Sequence, residues 1–130
     1  MKIAGIDHVV LRVKALPAML AFYTQALGCT VERAREDIGL YQLRAGVALI
    51  DLVPVEGKLG RMGGAAPGAD ARNMDHLCLR VVDFDVDVVR AHLERHGVMV
   101  GEIGLRYGST GEGLSIYLQD PDGNALELRG

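Results

Sequence analysis

The stretch IDHVVLRV at Ile6–Val13 returns as MDHLCLRV at Met74–Val81, and the two copies share five of their eight residues. Each copy alternates as a β-strand does, so its histidine and arginine share one face while aliphatic residues occupy the other. The aliphatic face predicts packing against a helix, and the other face predicts a more polar environment. A repeat of this kind indicates a fold built from two copies of one unit.

A helix and three short strands are predicted after each copy. The first helix is expected over Pro17–Leu27, with Gly28 as its stop, and the second over Asp85–His96, with Asp83 or Asp85 as its N-cap and Gly97 as its stop. The six strands are expected near Thr30–Glu36, Leu40–Arg44, Val47–Val53, Val98–Tyr107, Leu114–Gln119 and Ala125–Arg129. The last two are joined by DPDGN, which predicts a tight turn.

Each half therefore has the order βαβββ, and the fold class is predicted to be α+β, with the two modules forming a curved mixed sheet cup. Gly57–Asn73 is rich in glycine and alanine and predicts a linker. The prediction is one domain over residues 1–130, with a first module at 1–56, a linker at 57–73 and a second module at 74–130.

Composition narrows the possible partners and the compartment. The net charge of −3 gives no indication of a nucleic-acid partner or an acidic membrane surface. No apolar run approaches the roughly 20 residues that a membrane span needs, and the N-terminus is predicted to start as a strand without a signal peptide. Two isolated cysteines, Cys29 and Cys78, do not make a disulfide framework. These features predict a soluble, cytoplasmic protein.

Four ionisable residues occupy matched places in the two halves. His8 and His76 stand in the first strand of each half, and Asp51 and Glu127 stand in the last. Alternation directs all four to the face away from the helices. If the modules curve around a shared cleft, two imidazoles and two carboxylates suit one divalent ion such as Zn, Ni, Co, Mn or Fe(II). Asp51, with the shorter side chain, is either a ligand or a polar residue beside the metal.

These motifs resemble the vicinal oxygen chelate superfamily, which includes glyoxalase I, methylmalonyl-CoA epimerase, fosfomycin-modifying thiol transferases, extradiol dioxygenases and bleomycin-binding proteins. The resemblance covers nearly the whole chain. It is carried by DHVVLRV with the following FYTQALG (Phe22–Gly28), by DHLCLRV, and by SIYLQDPDGNALEL (Ser115–Leu128). It implies a glyoxalase-like domain whose modules form a cup around one metal, with His8, Asp51, His76 and Glu127 as its ligands.

The function expected from this site is a metal-dependent lyase or isomerase of the glyoxalase type, acting on a small substrate with vicinal oxygens. The metal would stabilise an enediolate while a carboxylate shuttles the proton. Glu127 is the first choice for that base and Asp51 the second. Four further residues are predicted to contact substrate: Arg12, Arg80, Tyr117 and Gln119. Arg12 matches an arginine that helps to hold the glutathione part of the substrate in glyoxalase I.

Two other functions stay open on the same fold: a metal-free small-molecule binding or resistance protein, and an Fe(II) dioxygenase. The chain has no histidine after His96, which argues against ring cleavage that needs a late histidine as acid and base. An open cup made by so short a chain also predicts a homodimer, in which two copies pair symmetrically.

Three further signals are interpreted as structural. The run HLERH (His92–His96) is predicted to be a solvated helix face, and GSTGEG (Gly108–Gly113) a mobile loop at the mouth of the cup. The third signal, Cys78, is predicted to be a small buried side chain, because a nucleophilic thiol needs an activating base and exposure.

Overall fold

Strand β1 (His8–Val13) has the burial pattern that its alternation predicts. Leu11 and Val13 are buried, whereas Val10 is half exposed. The structure is a computed structural model that describes all of residues 1–130, and its internal contacts divide the chain into two units, Met1–Asn73 and Met74–Gly130.

The first unit is a four-stranded mixed sheet in the spatial order β1-β4-β3-β2. Strand β1 pairs with β4 in parallel, and the remaining neighbours are antiparallel. The other strands of this sheet are β2 (Thr30–Arg35), β3 (Leu40–Ala45) and β4 (Ala48–Pro54). Strand β4 is central and apolar, and Ile50 and Leu52 are buried on the face that alternation assigns to the core.

The helical segment after β1 differs from the prediction in its second half. Helix α1 (Leu16–Ala21) begins with Pro17 in its first turn, and the chain continues as a π-helical turn over Phe22–Ala26. The amide of Leu27 donates to the carbonyl of Phe22, a wider spacing than in an α-helix. This change of pitch shifts the buried face, which consists of Met19, Phe22, Tyr23 and Ala26.

The segment predicted as a linker is tied to the first unit. It contains a short 3₁₀ helix over Gly60–Gly63. The Arg12 guanidinium donates to the carbonyls of Gly60, Gly63, Gly64 and Ala65 over 2.6–3.2 Å. The Asn73 side-chain amide donates to the backbone carbonyl of Arg12 at 2.9 Å. Composition predicted a linker but gave no sign of these long-range bonds.

The second unit repeats the first in order and topology. Its elements are β5 (Leu77–Arg80), α2 (Val86–Arg95), β6 (Val100–Gly108), β7 (Gly111–Gln119) and β8 (Ala125–Arg129). The sheet has the order β5-β8-β7-β6, with β5 parallel to β8. The two βαβββ modules and the α+β class are therefore confirmed.

Local capping and turn chemistry explain where the elements of the second unit end. Asp85 caps α2, because its carboxylate accepts from the amides of Asp87 and Val88. The predicted DPDGN turn is present, since Asp120 accepts from the amides of Asp122 and Asn124.

The glycine-rich run, predicted as a mobile loop, forms the end of a β-hairpin. Gly108 pairs with Gly111, so only Ser109 and Thr110 form the turn between β6 and β7. Gly111 has a φ of 97°, which a residue with a Cβ adopts only with strain. Glycine here extends strand pairing to the tip of the hairpin.

No helix in the chain is long and apolar enough to cross a membrane. The cytoplasmic location stays a prediction.

Candidate functional site

The first unit brings His8, Asp51 and Gln42 to one face of its sheet. Val10 of β1 pairs with Asp51 of β4. His8 lies two residues before Val10, so its side chain is on the same face of the sheet as Asp51 and diagonal to it. Asp51 is only 3% exposed, and its Oδ2 accepts from the Gln42 amide at 3.1 Å. Its Oδ1 is buried and has no hydrogen-bond partner. A buried acceptor without a partner is costly, so this oxygen is suited to a cation or a donor that binds there.

The second unit brings His76 and Glu127 together in the corresponding register. Cys78 pairs with Glu127 across β5 and β8, as Val10 pairs with Asp51 in the first unit. The Nε2 atom of His76 lies 3.3 Å from Oε2 of Glu127. Each unit therefore supplies one histidine and one buried carboxylate from the same two strands.

Both histidines are oriented by the aspartate that precedes them. The Nδ1 atom of His8 lies 2.6 Å from Oδ1 of Asp7, and the Nδ1 atom of His76 lies 2.7 Å from Oδ1 of Asp75. The bond from Asp7 raises the pKa of His8 against the opposing effect of burial, and the charge of Asp51 adds to the rise. A carboxylate on one ring nitrogen leaves the other for a ligand, which is the usual arrangement of metal-binding histidines. The repeated Asp-His pair was the sequence signal for these positioning residues.

Glu127 accepts hydrogen bonds from two side chains of the neighbouring strand β7. It is 5% exposed. The Ser115 hydroxyl donates to its Oε1 at 2.5 Å, and the Tyr117 hydroxyl donates to its Oε2 at 3.1 Å. Burial on its own raises the pKa of Glu127, but the bonds from Ser115 and Tyr117 and the charges of His76 and Arg129 outweigh it and lower the pKa. Glu127 is thus held as a carboxylate.

A cavity of about 310 Å³ opens beside this carboxylate, and all of its lining residues belong to the second unit. His76, Cys78 and Glu127 line it together with Arg129. Arg129 was not predicted as a site residue, although alternation along β8 places it on the same face as Glu127. That shared face was the signal that could have identified it.

The four predicted substrate contacts have different surroundings. Arg80 is exposed and lines the cavity, and Tyr117 is half-buried and bonded to Glu127. Gln119 is exposed and is not among the residues that line the cavity. Arg12 is engaged by the carbonyls of the linker, which gives it a structural role in the first unit. Contact of these four residues with a substrate stays a prediction.

The prediction of Cys78 as a buried side chain was wrong. The residue is exposed and lines the cavity. Partial burial of the thiol and the nearby charge of Glu127 raise its pKa. Cys78 is therefore held as a thiol and is a poor nucleophile.

The side chains of His8 with Asp51, and of His76 with Glu127, suit a divalent ion. Imidazole nitrogen and carboxylate oxygen are ligands of Zn, Ni, Co, Mn and Fe(II). The unpartnered Oδ1 of Asp51 and the ionised state of Glu127 fit the same chemistry. No group of three or more His, Cys, Asp or Glu residues lies close enough together to hold a metal. The structure thus shows two pairs of candidate ligands, His8 with Asp51 and His76 with Glu127.

Comparison with known proteins identifies the family. The model of the Glyoxalase/Bleomycin resistance protein/Dioxygenase superfamily matches residues 5–128, which includes both copies of the repeat. The chain belongs to this superfamily. The matched pairs of histidine and carboxylate are therefore placed on a glyoxalase-type scaffold, and the resemblance carried by the sequence motifs is confirmed.

Individual relatives extend over almost all of this glyoxalase-family chain. A glyoxalase domain-containing protein of Mycosarcoma maydis, RDO1, is 31% identical over 98% of the chain and 69% of its own length. Virulence protein STM3117 of Salmonella typhimurium is 30% identical over 98% of the chain and 85% of its own length. The crystal structure of that virulence protein superposes with a TM-score of 0.81, covering 99% of this chain and 98% of the other.

An integron cassette protein from the mobile metagenome of V. cholerae has the same fold. Its structure superposes with a TM-score of 0.78 at 29% identity, covering 99% of this chain and 96% of the other. These names span several biological settings, so membership of the superfamily fixes the scaffold and leaves the reaction to the site residues.

Proposed function

We propose that this protein is a metal-dependent lyase or isomerase of the glyoxalase type, acting on a small substrate with vicinal oxygens. The observation that carries the proposal is the duplicated pairing of a histidine and a buried carboxylate, in the same strand register in both units. His8, Asp51, His76 and Glu127 would together hold one divalent ion. The aspartates on Nδ1 of both imidazoles support this role, because metal-binding histidines commonly hold a carboxylate on their second ring nitrogen.

A bound divalent ion would polarise the vicinal oxygens of the substrate as a Lewis acid, which makes the adjacent C–H more acidic. Glu127 is then the base that takes the proton and returns it to the neighbouring carbon. Its lowered pKa makes it a weak base for an ordinary C–H, so it depends on that polarisation. Ser115 and Tyr117 hold the carboxylate in place while the proton moves.

A second candidate function is metal-free binding of a small molecule on the same scaffold. The observation that favours it is the direct approach of His76 Nε2 to Glu127 Oε2 at 3.3 Å, because two candidate ligands that pair with each other do not need a cation. In that case the cavity of the second unit would be the binding site and Glu127 would be a polar wall residue.

Elemental analysis of the purified protein separates these functions. The wild-type protein, exposed to a mixture of Zn²⁺, Ni²⁺, Co²⁺, Mn²⁺ and Fe²⁺ and then desalted, should retain about one ion per chain. Replacing His76 by Ala should lower retention to less than about a tenth of that value, because an imidazole ligand is lost. His92→Ala is the matched control, since His92 lies on helix α2 and does not line the cavity.

Retention of metal by His76→Ala at the wild-type level would contradict the proposed site. A wild-type protein that takes up none of the five ions would favour the metal-free function. Equal losses in His76→Ala and His92→Ala would point to nonspecific binding by surface histidines and would also contradict the site.

We also propose that the chain works as a cytoplasmic homodimer that binds a small molecule. The proposal rests on the exposed side chains of Cys78 and Arg80 on one face of β5, a surface that a second copy is suited to cover. Sedimentation equilibrium should give twice the monomer mass of 14.0 kDa. A monomer mass at micromolar concentration would contradict the dimer.

A further inference from the structure

Arg129 is an unusual residue to find in the wall of the cavity. It is 6% exposed, and a cationic side chain is seldom buried to this extent without a dedicated partner. One terminal nitrogen, Nη2, donates to the carbonyl of Gly111 at 2.7 Å. The Nε atom is buried and has no hydrogen-bond partner. The guanidinium therefore keeps donor capacity that the protein itself does not use.

The charged side chains around the cavity include more cations than anions. Two lining side chains, of Arg80 and Arg129, carry a guanidinium, and one, of Glu127, carries a carboxylate. Glu127 has its own donors in Ser115 and Tyr117, so it does not use the Arg129 side chain as a hydrogen-bond partner. A planar guanidinium is well matched to a carboxylate, which can accept from it with charge assistance.

The glycine-rich hairpin positions this guanidinium. A Cβ at Gly108 would lie 2.0 Å from Nη1 of Arg129, and one at Gly113 would lie 3.2 Å from Nη2. Only a residue without a side chain lets β6 approach the guanidinium this closely. Gly108, Ser109 and Thr110 also line the cavity, so the hairpin tip and Arg129 form one wall.

We infer that this wall is a subsite for a carboxylate group of the substrate, with Arg129 as its anchor. The proposed function leaves the substrate as any small molecule with vicinal oxygens, and this inference, which rests on it, narrows the class to those that also carry a carboxylate. Glu127 then faces the reacting end of the molecule while Arg129 holds the anionic end. The dimensions of the cavity suit a molecule of about ten non-hydrogen atoms.

The test is a comparison of two probes that differ in one charge. Phenylglyoxylate and its uncharged methyl ester are titrated into the full-length protein by calorimetry, in EDTA so that no metal contributes to binding. The wild-type protein should bind phenylglyoxylate at least about 10-fold more tightly than the ester, because a charge-assisted hydrogen bond forms only with the carboxylate. Arg129→Met should remove that difference, and Arg95→Met, on exposed helix α2, should keep it.

Gly108→Ala provides a second variant that keeps the charge and displaces the guanidinium, so the test does not depend on the folding of Arg129→Met. It should weaken the binding of phenylglyoxylate several-fold and leave the binding of the ester unchanged. Gly68→Ala, where a Cβ meets no atom within 4 Å, should change the affinity for neither probe. Equal affinity of wild type for both probes would overturn the inference. Tighter binding of inorganic phosphate than of phenylglyoxylate would overturn its assignment to a carboxylate.

Because EDTA excludes metal from these titrations, equal binding of the two probes would not contradict the proposed metal site. A protein that retains no metal could likewise still bind the carboxylate probe, so that result would not contradict the anion subsite.

Discussion

Glu127→Gln is expected to slow proton transfer by about 10²–10⁴-fold while the fold persists. Glutamine has the size of glutamate and keeps one oxygen to accept a bond from Ser115 or Tyr117, but it cannot take a proton from carbon. Hydroxyacetone is a minimal probe with vicinal oxygens. Exchange of its C–H for deuterium in D₂O, followed by proton NMR on metal-loaded protein, measures the step directly.

Two comparisons make this result specific to the base. Asp51→Asn should retain more of the exchange than Glu127→Gln when both are saturated with metal, because Glu127 is the proposed first base. Glu94→Gln, on the exposed side of α2, should match the wild type. Unchanged exchange in Glu127→Gln would remove it from the mechanism, and an unfolded variant would give it a structural role instead.

The largest loss of stability is expected from Leu126→Ala, the residue immediately before Glu127. Leu126 is fully buried on the opposite face of β8. Truncating a buried leucine removes apolar contacts and leaves a cavity, which costs about 2–5 kcal/mol. Urea denaturation followed by circular dichroism should show this as a lower free energy of unfolding.

Gln119→Ala is the matched control, because Gln119 is exposed on β7 and pairs with Ala125, the neighbour of Leu126 on β8. It should change the free energy of unfolding by no more than about 0.5 kcal/mol. A loss below about 1 kcal/mol for Leu126→Ala would contradict the assignment of alternate β8 residues to core and cavity.

The repeated strand predicted most of the fold. The exposed His8, the buried Leu11 and Val13, and the core-facing Leu126 and Leu128 follow from a period of two along β1 and β8. The equivalence of Asp51 and Glu127 also follows from position in the repeat, and the register confirms that they occupy the same place.

Several site features were beyond reach of sequence patterns because they depend on long-range contacts. The bonds from Arg12 to the linker join residues about fifty positions apart, and glycine-rich composition alone predicted only a linker. Gln42 and Ser115 are ordinary strand residues until sheet pairing sets them beside a carboxylate. The exposure of Cys78 depends on what packs over its face of the sheet, which alternation along the strand did not indicate.

The sequence by itself determined the duplicated βαβββ order and the faces on which histidines and carboxylates lie, because strand alternation is a local property of the chain. Only the tertiary structure decided that Glu127 is a buried, bonded carboxylate and that Arg129 stands beside a cavity with a donor unused. Burial and hydrogen bonding depend on which strands become neighbours, and that choice is made by the packing of the whole sheet.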